Sequence, residues 1–258
     1  MDKAGFRIDL NESFEHLPGA PIAEALIHWR ARAGKTLTAE SFQTALTDRL
    51  TDYPAPKRQH QLQVGAEIAE SESSVQQRQV WHGVRFESEN KLHVAQFTRN
   101  GFVFSRLKPY TNWEDFVAEA IRLWDFYVEF AEPPEIERLG VRFINVISLD
   151  PAEELANVLA SPPVAPTSMR LPVGEFMHQT KFDIPDHDYS LNVIQTIQQS
   201  ALTGDEPSNL ILDLDVFTNQ TPAATDENLK ERLADMRWIK NKAFFTFLTE
   251  SVLSRFKE

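Results

Sequence analysis

Asp213 and Asp215 stand in the run LILDLDVF, alternating with leucine and valine. In a strand, residues two apart point to the same sheet face, so this spacing sets two carboxylates side by side. Such a pair can bind a divalent cation or share acid–base work. A metal-dependent hydrolase or nuclease would need a third ligand, and the chain offers no clear one. The bland alternative is an exposed strand face, or ion pairs with arginines on a neighbouring strand. Asp186-His187-Asp188 could also ligate a metal, but beside Pro185 it reads as a hairpin turn, where Asp and His are ordinary. None of the 7 histidines falls in an HxxxH or HExxH pattern. The chain has no cysteine, which excludes disulfides, thiolate metal sites and a cysteine nucleophile. Gly34-Lys35-Thr36 resembles the tail of a phosphate loop, yet Trp29 occupies the place of that loop's first glycine. Ser105 lies in FVFSRL, without the G-x-S-x-G elbow of a serine nucleophile. No catalytic residue, metal ligand or cofactor site is assigned on this basis, and a non-enzymatic binding protein is the leading expectation.

The remaining chemistry lies in polar residues that interrupt apolar strands. Arg85, Arg106, Arg142, Asn145, Lys181, Asp213 and Asp215 are the candidate binding face, with Gln96 and Gln195 in similar settings. Arg85, Arg106, Arg142 and Lys181 could together serve a nucleic-acid-binding module. The net charge of −12 argues against it, because a protein that grips a phosphate backbone usually shows a basic face. Another protein is the expected partner. The beginning MDKAGFRIDLNES has no apolar core of a signal peptide, and no run approaches the ~18 apolar residues of a membrane helix. With cysteine absent as well, a soluble cytoplasmic protein is expected.

These residues must be held by strands and helices. Residues 1–20 are polar, end in Leu17-Pro18-Gly19, and are expected to form a loose arm. A first strand is expected over 22–29. Thr38 can cap a helix over 39–51, and Tyr53-Pro54-Ala55-Pro56 stops it. Strands follow over 61–68, 79–87, 92–98 and 102–107, with a solvated loop over 70–77 and a turn at Asn100-Gly101. Asn112 can cap a helix with Glu114 and Asp115 in its first turn, where they suit the helix dipole. Trp113, Phe116, Val117, Ala120, Ile121, Trp124, Tyr127 and Val128 recur there at helical spacing, and Leu123, Phe126 and Phe130 widen the apolar surface. That extra width suits either intramolecular core or a homodimer contact. After Pro133-Pro134 a strand is expected over 139–147 and a short helix over 151–159. Further strands are expected over 175–184, 191–198 and 209–217. A long helix over 226–256 should bend or break near Lys240-Asn241.

Two short patterns recur. Trp81-His82-Gly83-Val84-Arg85-Phe86 matches Met177-His178-Gln179-Thr180-Lys181-Phe182 in H-x-x-[RK]-F, and Leu92–Gln96 matches Leu191–Gln195 in L-x-V-x-Q. The fold class expected is therefore α+β: a tandem pseudo-repeat of strand, helix, three or four antiparallel strands, helix. Its halves span 21–134 and 135–258 in one compact unit, with a saddle-like sheet and long helices on one face. This element order resembles the fold of the TATA-box-binding protein, in topology only. The phrases FSRLKPYTNWEDFVAEAIRLWDFY, RLGVRFINVI and LILDLDVF, with the closing KNKAFFTFLTESVLSRF, resemble a sporadically distributed prokaryotic family of soluble proteins of about this length. That resemblance implies a stand-alone prokaryotic protein and no particular chemistry.

Overall fold

Strand β1 (Ile22–Arg30) alternates buried Ala25, Ile27 and Trp29 with the partly exposed Leu26 and His28. Strand β6 (Arg138–Ser148) does the same, with Leu139, Val141 and Phe143 buried and Arg142 and Ile144 partly exposed. This two-residue period gives each strand one apolar face. A computed structural model shows how the faces combine; it describes residues 6–54, 56–68, 73–150, 153–166, 168, 173, 175–198, 208–218 and 228–257. The other strands are β2 (Lys57–Ile68), β3 (Ser73–Glu87), β4 (His93–Thr98), β5 (Gly101–Leu107), β7 (Met177–Asp183), β8 (Tyr189–Gln198) and β9 (Asn209–Thr218). Helices α1 (Ala39–Thr47), α2 (Trp113–Ala131), α3 (Leu229–Phe247) and α4 (Glu250–Ser254) complete the α+β fold.

One open antiparallel sheet of 9 strands runs in the order β2-β3-β4-β5-β1-β6-β9-β8-β7. Its centre is the β1–β6 pair, in which Ile27 lies opposite Val141. From there the register carries one row of residues outward on each side. Ile27 pairs with Phe104, Phe104 with Ala95, and Ala95 with Phe86. On the other side Val141 pairs with Val216, Val216 with Leu191, and Leu191 with Phe182. Phe86 and Phe182 thus end the same row, three strands out from the central pair. Gln96 and Gln195 do not correspond in this way. Gln96 is one residue past Ala95 and faces the opposite side of the sheet from Gln195, which pairs with Leu212.

Helices α1, α2 and α3 all pack on the face that carries this row. Trp124 of α2 stacks on Trp29 of β1, ring centroids 5.2 Å apart and planes 8° from parallel. Phe116 lies 5.5 Å from Phe104 and 6.2 Å from Phe143, bridging the two sides of the sheet. The Tyr127 hydroxyl donates to the Ala31 carbonyl at 2.6 Å. Phe42 of α1 meets Phe97 edge-on, and Phe247 of α3 meets Phe182. Helix α2 starts where expected, because the Asn112 side chain accepts from the Asp115 N–H at 2.8 Å. It ends on Glu132, whose φ of 48° turns the chain out before Pro133-Pro134. At the β4–β5 turn, Gly101 has φ 143°, and a Cβ there would come within 1.9 Å of the Trp29 carbonyl. Only glycine fits that approach.

Four expectations are corrected. The stretch 70–77 is not all loop: Ser73 already opens β3, and 69–72 lie outside the described residues. The helix expected over 151–159 is a single 3₁₀ turn at Leu155–Asn157 among the residues described there. The long C-terminal helix does not break at Lys240-Asn241. It breaks at Leu248, which adopts extended backbone (φ −103°, ψ 150°) and bridges to Leu159. Thr249 then caps α4 by accepting from the Val252 N–H. Residues 6–20 are not loose. Phe6 packs edge-on against Trp238 and Phe14 stacks on Phe245. Glu12 accepts from Trp238 Nε1 and Lys242 Nζ, and the Gly19 N–H donates to the Phe256 carbonyl. Among the described residues no helix is long and apolar enough to cross a membrane.

The Trp29–Trp124 stack fastens α2 to a strand of the central pair. Truncating Trp124 to Ala should therefore destabilise the protein by about 3–5 kcal/mol, the usual range for a large buried aromatic. Urea unfolding of both proteins measures it, and a loss below ~1 kcal/mol would contradict this packing.

Candidate functional site on the helix-free sheet face

The register also fixes what lies on the opposite face, which no helix among the described residues covers. One row there runs from Glu87 through Val94, Ser105, Leu26, Arg142, Asp215 and Asn192 to Lys181. A neighbouring row runs from Lys57 through Arg85, Gln96, Val103, His28 and Gly140 to Phe217. A third joins Glu24, Ile144, Asp213 and Ile194. Five of the seven residues singled out in the sequence therefore share this face: Arg85, Arg142, Lys181, Asp213 and Asp215. Arg106 and Asn145 do not. Arg106 lies two residues beyond Phe104, and Asn145 two beyond Phe143, so strand parity turns both toward the helices. There Arg106 is buried and donates to the Pro109 carbonyl at 3.1 Å, with His93 Nε2 3.0 Å from its Nη1. Asn145 is buried and donates to the Leu212 carbonyl at 2.9 Å.

At the middle of the face, arginines of β6 hold the carboxylates of β9. Arg142 binds Asp213 through two parallel hydrogen bonds, Nε to Oδ1 at 2.8 Å and Nη2 to Oδ2 at 2.5 Å. This fork geometry is the strongest arrangement an arginine makes with a carboxylate. Arg138 donates to Asp215 at 2.7 Å and lays its guanidinium 4.1 Å over the Phe217 ring. Asp213 raises the affinity of Arg142 for its proton, chiefly through these hydrogen bonds. Burial pushes the Asp215 carboxyl above its ordinary range, against the pull of Arg138 and Arg142. Its Oδ1 is buried with no hydrogen-bond partner.

His28 sits beside this network and was not singled out by the sequence, because IAEALIHW hides it among apolar neighbours. Gly140 makes room for it: a Cβ on that glycine would come within 2.3 Å of His28 Cε1. His28 Nε2 is buried without a partner. Burial, reinforced by Arg138, Arg142 and Arg30, lowers its pKa to about 3. The imidazole is therefore neutral at ordinary pH.

This geometry bears on each chemistry considered. Both carboxylates are committed to guanidinium groups, and no group of three His, Cys, Asp or Glu among the described residues could hold a metal ion. The other cations described on the face are also matched. Arg85 and Lys57 reach Glu87, Arg30 reaches Glu137, and Lys181 reaches Asp183. Leu26, Ile144, Ile194, Ile211, Val103 and Phe217 remain partly exposed between the charged rows. Among the described residues the face is thus apolar in its gaps and nearly neutral in its charges. Comparison with known protein families, with curated proteins and with solved structures finds no match to this chain.

The state of His28 makes stability depend on pH. The unfolded chain, with an ordinary histidine pKa near 6.5, takes up a proton as pH falls below that value; the folded chain does so only near about 3. Folding stability is therefore lost as pH falls through this window. His93 acts with the same sign, its pKa lowered by burial and then by Arg106. Replacing His28 by Gln should remove roughly 1–2 kcal/mol of the stability lost between pH 7 and pH 5. Denaturant titrations of both proteins at the two pH values measure it, and an unchanged pH slope would mean that folded His28 protonates normally.

Proposed function

We propose that this chain is a non-enzymatic, cytoplasmic binding protein whose partner, another protein, docks on the helix-free sheet face. The observation that carries this reading is the combination on that face of partly exposed aliphatic side chains with arginines already oriented by carboxylates. Leu26, Ile144, Ile194 and Ile211 offer apolar area, and Arg138 and Arg142 are pre-ordered by Asp215 and Asp213. Protein interfaces favour this composition, an apolar centre with arginine and aromatic anchors. A rigid arginine loses less entropy on binding than a free one.

Two other readings have less support. A metal-dependent hydrolase would need Asp213 and Asp215 released from their arginines. A nucleic-acid module would need uncompensated cations, whereas Arg85, Arg142 and Lys181 each face a carboxylate and Arg106 points to the core side. We also propose that the chain arose by duplication and that the sheet curves as a saddle, the docking face on its concave side. Support comes from the row in which Phe86 and Phe182 end symmetrically about the Ile27–Val141 pair, and from α2 and α3 sharing one face. The L-x-V-x-Q match adds nothing to this, since Gln96 and Gln195 face opposite sides.

The test is affinity capture from the source organism with three baits: the natural chain, Ile144→Asp/Ile194→Asp, and Lys230→Glu on the exposed side of α3. Melting temperatures confirm that all three fold, and sedimentation equilibrium separates self-association from a foreign partner. A protein retained at least tenfold more by the natural chain and the α3 variant than by the sheet variant is expected. Equal capture by all three, or hydrolytic activity of the pure protein in a broad substrate screen, would refute the reading.

A further inference from the structure

On the helix-bearing side lies a cleft of about 480 Å³, inside the size range of small-molecule sites. It opens between the start of α2, the middle of α3, strand β6 and residues 14–20 of the N-terminal arm. Its walls mix polar residues with a set of aromatics, Tyr110 and Trp113 before and at the start of α2, Phe143 at the sheet, and Phe244 and Phe245 on α3. Beside these aromatics α3 places the partly exposed Lys240. Its Nζ lies 4.0 Å from the Phe143 ring centroid and 2.5 Å from Asn241 Oδ1.

The charges around Lys240 are the informative part. Two acids line the cleft, Glu114 and Glu15, and each is paired with a cation other than Lys240; Arg237, the partner of Glu114, lines the cleft too. Glu114 accepts from Arg237 at 2.9 Å, and Glu15 pairs with Lys257 at 2.8 Å. His16 and Tyr110 also face the space, and neither brings negative charge at neutral pH. No carboxylate among the described residues pairs with Lys240. A lysine partly withdrawn from water without a counter-ion carries a desolvation cost, which a folded protein meets by neutralising the amine or by receiving an anion. Burial, then the nearby Arg237, lowers the Lys240 pKa to about 7, so the amine loses much of its ordinary preference for the charged form.

We propose that this cleft binds a small aromatic carboxylate, its anionic head at Lys240 Nζ and its ring among Tyr110, Trp113 and Phe244. Asn145, whose amide donates to the Leu212 carbonyl, also lines the cleft. The cation and the aromatic wall both favour this ligand class. A neutral aromatic would leave the amine unpaired, and an aromatic amine would repel both Lys240 and Arg237. This site is independent of the sheet face, which lies on the other side of β6.

1-Naphthoate, 1-naphthalenemethanol and 1-naphthylmethylamine serve as probes of equal ring size, titrated calorimetrically into the whole chain at pH 7. Naphthoate is expected to bind at least tenfold more tightly than the alcohol, and the amine not at all. An anion beside Lys240 favours its charged form, so naphthoate binding should take up a fraction of a proton. That uptake is read from the difference in heat between phosphate and Tris buffers. Lys240→Met should abolish both the preference and the proton uptake, whereas Lys240→Arg should keep the preference. Absence of naphthoate binding, equal affinity for acid and alcohol, or an unchanged preference in folded Lys240→Met would each overturn the proposal. If Lys240→Met does not fold, the acid-to-alcohol comparison in the natural chain decides it alone.

Discussion

The structure depends on one constraint: a broad antiparallel sheet must bury its apolar face. Strand alternation supplies the apolar side, and α1, α2 and α3 supply its cover. The β1–β6 pair is where the two parts of the chain meet, and α2 bridges them there, touching β1 through Trp124 and β6 through Phe116. The arm at residues 6–20 then closes over α3. Polar residues on the covered face are bonded locally where Arg106 and Asn145 donate to backbone carbonyls, whereas the Gln195 amide nitrogen is buried without a partner. A polar residue that arrives on the other face is free to pair across strands.

That division explains why the polar residues of the helix-free face form a network. Register sets the β6 arginines beside the β9 carboxylates, and cross-strand opposite charges stabilise a sheet. Asp213 is nearly buried and Arg142 is partly exposed, so the pair behaves as a semi-buried bridge. Such a bridge contributes more to orientation than to net stability, because desolvation offsets much of the attraction. Neutral His28 over Gly140 completes the arrangement without adding charge. The result is an ordered, nearly neutral strip with aliphatic gaps.

Much of this was legible in the sequence where local chemistry was strong. The Asn112 cap, the Pro133-Pro134 stop, the aromatic stripe of α2 and most strands follow from capping, breaking and periodicity. The alternative of arginine pairing for Asp213 and Asp215 was also in view, since their spacing assigns them to one face. What stayed hidden needed register or tertiary contact. Counting parity from Phe104 and Phe143 would have set Arg106 and Asn145 on the core side, but only if those aromatics were known to face the helices. L-x-V-x-Q misled because leucine and valine suit any strand, and a shift of odd length turns every side chain over. The break at Leu248 depends on Leu159, far away in sequence. Lys240 sits in an ordinary helical run, and its lack of a carboxylate partner is a property of the fold alone.

The central claim is that one face of the sheet is core and the other is open. Methyl NMR with a soluble paramagnetic probe tests it most directly, because isoleucines report on both faces. Ile144, Ile194 and Ile211 are partly exposed on the open side, whereas Ile27 and Ile147 are buried on the other. Strong broadening of the first three methyl signals and little change in the last two are expected. Equal protection of both sets would contradict it, since the second face would then be covered.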